Sequence, residues 1–139
     1  MKSLLAFLYN NFAFVYLNSS YRITDSETTG SAEDRASLTI TGPLLTIRLI
    51  NERTAMQCIV APTQSIEPTN WFWIELIRQF LDGHDATTTV PAKELASWFG
   101  DNLSRVEALF AEGASDSCAA LSEMRLANAI KEFGRPKNL

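Results

Sequence analysis

Between residues 38 and 61 the chain alternates apolar and polar side chains in three runs separated by short turns, and this block limits the fold more than any other segment. Leu38 and Ile40 alternate with Thr39 and Thr41, and Gly42-Pro43 follows as a turn. Leu45, Ile47 and Leu49 alternate with Thr46, Arg48 and Ile50, and Asn51-Glu52-Arg53 makes a second turn. Met56, Cys58 and Val60 then alternate with Gln57, Ile59 and Ala61. A period of two places successive side chains on opposite faces of a strand, so each run buries one face and leaves the other more exposed. Strands joined by such short turns pair antiparallel with their neighbours, as a meander.

The flanking segments supply helices. Leu4, Leu5, Leu8 and Phe12 recur at helical spacing, which predicts a helix over residues 2–12. Phe14 to Leu17 are strand formers, and Tyr21 and Ile23 alternate with Arg22 and Thr24, which predicts a further strand interrupted by a turn or bulge at Asn18-Ser19-Ser20. Residues 25–35 are polar and read as a loop. Beyond a loop between Pro62 and Pro68, Thr69 or Asn70 caps a helix over 71–82, with Trp73, Leu76, Ile77, Phe80 and Leu81 on its apolar face and Gly83 at its end. Residues 92–99, 101–111 and 116–133 read as three more helices, with Gly100 as a break and Ser115 as a cap. Strands followed by helices predict one α+β domain over residues 1–139, an antiparallel β-meander of about four strands with an N-terminal helix and C-terminal helices packed against it.

Composition narrows the function classes. With 46% hydrophobic and 20% charged residues, a chain of 139 residues builds an ordinary core without disulfides or metals. A net charge of -4 argues against nucleic acid or an anionic membrane as partner, since both need an excess of Lys and Arg, and it is compatible with a basic protein. Cys58 and Cys118 have no Cys or His at metal-ligand spacing and read as two buried, reduced thiols. The apolar stretch Leu4–Leu17 is interrupted by Asn10-Asn11, precedes no small-x-small cleavage site and is too short to span a bilayer, so cytoplasmic residence is expected.

No catalytic constellation is visible, and the expectation is a non-enzymatic protein without a cofactor. The single histidine, His84, follows a helix end beside Gly83 and Asp85, with no nucleophile in a recognisable elbow, and reads as a loop residue or a helix C-terminal cap. The glycines form no phosphate-binding loop. Asp25 and Glu27, two apart, could share one side of a strand end, with Glu33 and Asp34 following. Such carboxylates serve acid–base work, a divalent ion or a basic partner, but the plainer reading is pairing with Arg22, Arg35, Arg48 or Arg53, and no metal site is expected. Trp71, Phe72 and Trp73 cannot share one narrow helix face. Trp73 fits the core stripe, which sends Trp71 and Phe72 toward a partner or under the loop over residues 64–70. Met56 and Trp73 could line a pocket for an apolar ligand, or could simply fill the core.

The run Tyr21-Arg22-Ile23-Thr24-Asp25-Ser26-Glu27, the strand pair around Leu38-Thr39-Ile40 and Leu45–Arg53, the aromatic helix start Trp71-Phe72-Trp73-Ile74-Glu75-Leu76-Ile77 and the tail from Val106 to Gly134 together resemble a group of small bacterial α+β proteins of uncharacterised or immunity-protein type, found with polymorphic toxin and contact-dependent inhibition systems. The likeness covers nearly the whole chain, and its motifs are those that make the fold. It departs at Asn51-Glu52-Arg53, where an Asp-Arg-Gly type of turn is more usual in the group. The resemblance implies direct binding to a cognate toxin and carries no catalytic residue over. A basic toxin would meet Asp25, Glu27, Glu33 and Asp34 through charge, with Trp71 or Phe72 as anchors. A self-associating adaptor or structural protein, or a small-ligand-binding domain, is the alternative, and both monomer and homodimer remain open.

Overall fold

The computed structural model of the chain describes residues 1–29, 35–53 and 55–134. Helix α1, Lys2–Asn11, leads through Phe12 into a single-turn helix α2, Ala13–Tyr16. Five strands follow, β1 (Arg22–Thr29), β2 (Arg35–Thr41), β3 (Leu45–Glu52), β4 (Ala55–Pro62) and the two-residue β5 (Phe72–Trp73). They form one antiparallel sheet in the order β1-β2-β3-β4-β5, the expected meander with one short strand added. Four α-helices follow among the described residues: α3 (Ile74–Asp82), α4 (Ala92–Asp101), α5 (Leu103–Leu109) and α6 (Ala114–Phe133). The fold class is α+β.

Register sorts the sheet into two faces. Leu38 opposes Leu49, Ile40 opposes Ile47, and these continue through Cys58, Val60 and Phe72 as the inner face. That face packs on Leu4, Leu8, Phe12, Ile74, Ile77, Leu95, Phe99, Val106, Phe110 and Leu121 from the helices. The largest of these side chains are removed from water almost completely, and each contributes roughly 1.5–3 kcal/mol of transfer free energy. Tyr21 joins the helical layer to the sheet. Its hydroxyl donates to Glu107 Oε2 of α5 at 2.7 Å, and its ring lies against Gly42, where a Cβ would run into it.

Four local expectations change. Phe14, Val15 and Tyr16 lie in α2 rather than in a strand, because Phe12, Val15 and Leu8 meet the core together at helical spacing. Residues 25–29, read as loop, extend β1 as its polar half, because pairing with β2 and not burial holds them. Phe72 and Trp73 begin as strand, and the helix starts only at Ile74, so the two rings point to opposite faces. Gly100 lies inside α4 rather than after it, and Phe14 closes over it.

Candidate functional site

Among the described residues, the second face of the sheet carries no helix at its β1–β3 end. It presents Asp25, Glu27 and Thr29 from β1, Arg35, Ser37 and Thr39 from β2, and Arg48 and Ile50 from β3. These groups line a trough of 330 Å³, Thr39 excepted. Asp25 and Glu27 come to one side by way of a bulge. The register shifts between Ile23 and Asp25, so Thr24 is the extra residue, and its hydroxyl lies 2.8 Å from that of Thr41.

The segment that stacks on Arg48 is held from the C-terminal helix. Arg125 of α6 donates from Nη1 to the Trp71 carbonyl at 2.9 Å and from Nη2 to the Thr69 carbonyl at 3.0 Å. Its guanidinium also lies 4.9 Å from the Phe72 ring centroid. This clamp fixes the segment that enters β5. Trp71 is thereby held against Arg48, whose guanidinium carbon sits 4.3 Å from the indole centroid. Arg48 Nε donates to Thr39 Oγ1 at 3.3 Å. Stacking and a hydroxyl thus orient Arg48, and it has no carboxylate partner among the described residues.

Among the described residues the one ion pair within 4.0 Å is Arg105–Asp82, between the end of α3 and α5. The pairing of Asp25 or Glu27 with Arg22, Arg35, Arg48 or Arg53 expected from sequence is therefore not made within that distance, and both carboxylates stand exposed. The structure brings Asp25, Glu27 and Trp71 to one face. Phe72 is a correction. It is fully buried, stacked on Phe110 at 6.4 Å, and is a core residue rather than an anchor. Trp73, assigned to the core from sequence, is instead 42% exposed. Glu33 and Asp34 lie outside the described residues. Arg48, stacked and unpaired, is the functional candidate that sequence reasoning passed over as a cross-strand partner.

The pocket expected between sheet and helices exists in reduced form. A cavity of 80 Å³ is lined by Phe7, Phe12, Met56, Cys58, Glu75 and Phe99, and Trp73 takes no part in it. It falls well below the roughly 300 Å³ at which small-molecule clefts begin. Burial pushes the Glu75 carboxyl above its usual range. Burial, and then the Glu75 charge, push the Cys58 thiol far up, so this thiol is a poor nucleophile. Cys58 and Cys118 are both free and buried. Among the described residues no group of three or more His, Cys, Asp or Glu is placed to hold a metal ion, and no helix is long and apolar enough to cross a membrane.

No family model matches the chain, and no curated protein and no solved structure matches it.

Proposed function

We propose that this chain is a non-enzymatic binding protein that neutralises a cognate bacterial toxin by docking on it through the helix-free sheet face. One observation carries the reading: exposed Asp25 and Glu27, free of ion pairs, share a face with an Arg48 guanidinium held on Trp71. Charged groups kept in place without internal partners are suited to meeting complementary groups on another molecule. The two carboxylates steer a basic surface, and the stacked Arg48 offers its remaining N–H donors to a carboxylate on the same partner. The immunity assignment adds the resemblance of the chain to small bacterial proteins of that type.

The test is capture of a partner from the producing cells by the tagged chain, followed by a growth assay in which the captured toxin is expressed with and without it. Wild type rescues growth, while Asp25→Lys/Glu27→Lys folds normally and fails to rescue. Equal rescue by wild type and the double variant removes this face from the account, and the absence of any neutralised toxin removes the immunity reading.

A further inference from the structure

Strand β1 is exposed along its whole length, on both faces and at one edge. All eight of its residues are exposed, and as the first strand in the order it pairs, among the described residues, with β2 alone. Unpaired backbone groups along such an edge are a template for another strand. A bulge and a pair of carboxylates are among the devices that discourage casual pairing, and β1 has both. These devices do not account for what lies on its other side. There Ile23, 52% exposed, sits in a groove of 260 Å³ with Leu8, Val15, Tyr16, Tyr21 and Ile40. The groove wall is fixed, because the Tyr16 hydroxyl donates to the Tyr9 carbonyl at 2.9 Å and the two rings stack at 6.0 Å. Leu17, beside it, is 77% exposed.

From this arrangement we infer that β1 accepts a sixth strand, an extended segment of a partner protein in which apolar and basic residues alternate. The inference rests on the protein-binding reading and specifies how the partner is held. A strand added to β1 sends alternate side chains to opposite faces. Those on the inner side enter the groove beside Ile23, and those on the outer side meet Asp25 and Glu27. A second copy of this chain is a poor occupant, since full-length pairing of two β1 strands gathers Asp25 and Glu27 of each copy at the centre of the joint.

The test titrates two capped ten-residue peptides, one alternating valine and lysine and the other valine and glutamate, into the isotope-labelled full chain at low ionic strength. Amide shifts and exchange protection are read by NMR. The lysine peptide is expected to protect Arg22–Thr29, to shift Ile23 and Tyr16, and to bind at least tenfold more tightly than the glutamate peptide, on the order of one close charge pair. Asp25→Lys/Glu27→Lys, which changes only exposed positions, should reverse the preference. Equal binding of both peptides by both proteins, or perturbation that spares β1, overturns the inference. So does a dimer whose β1 amides are protected without peptide, which would make the second copy the occupant. A neutralised toxin that leaves β1 exchange unchanged refutes strand addition and spares the toxin reading, whereas peptide seated on β1 with no toxin neutralised does the reverse.

Discussion

Strands β1 and β3 are equal in length and lie two places apart in one sheet, yet they answer to different forces. Five of the eight residues of β3 are buried, and none of β1 is. Leu45, Ile47 and Leu49 hold β3 by removing apolar surface from water, and its outer residues Thr46 and Arg48 are tied in by hydrogen bonds. β1 has little but its ladder to β2. A hydrogen bond adds only about 1 kcal/mol net, so β1 sits at the low-stability end of the structure. The lesson is that β3 is selected for the core, while the side chains of β1 are free to be chosen for what approaches from outside.

The comparison breaks first at the core. Leu49→Ala is expected to lower unfolding free energy by about 2–5 kcal/mol, read by urea denaturation. Any single polar substitution in β1 should stay within about 0.5 kcal/mol. In binding the ranking inverts. Asp25→Lys/Glu27→Lys should weaken a basic partner by about 100-fold in calorimetry, mostly through charge reversal, with Tm essentially unchanged. Tyr21→Phe, which strips the Glu107 carboxylate of its donor, should cost about 1 kcal/mol in the same denaturation experiment. Trp71→Ala leaves Arg48 without its stacking face and should cost about 1 kcal/mol of partner affinity with less effect on stability.

The smallest effect concerns pH. The Glu75 carboxyl is raised above its ordinary 4.5 by burial, so the folded chain holds that proton more tightly than the unfolded one. Its contribution is complete below 4.5 and is lost as pH rises through the folded value. Asp82 is lowered below 3.8 by hydrogen bonds from Trp98 and then Arg105, so its contribution is present above 3.8 and is lost as pH falls through the folded value. Glu75→Gln should flatten the decline on the alkaline side of 4.5, and Asp82→Asn should flatten the decline in acid, both seen in Tm against pH.

The meander and the helical layer are legible in the sequence because burial leaves a period, and each strand between Leu38 and Val60 keeps it up to its turn. β1 is harder to read. A strand exposed on both faces has no apolar period, so Asp25–Thr29 resembles a loop until pairing is known. Trp71, Phe72 and Trp73 mislead for a related reason. Three adjacent aromatics fit either period, and the opposition of Val60 to Phe72 and of Ile59 to Trp73 decides which ring is buried. Asp25 and Glu27 were identifiable by spacing, although the bulge at Thr24 that sets their side was not. Arg48 could have been singled out only by its neighbour Trp71, which lies 23 positions away in sequence (71 minus 48).

Hydrogen–deuterium exchange of the full chain, alone and bound to the protein partner proposed above, tests the central claim most directly. The free chain should exchange rapidly over Arg22–Thr29 and slowly over Leu45–Glu52, and binding should bring β1 close to the protection of β3. Protection gained over α3 and α6, with β1 exchanging as fast as before, would contradict the account.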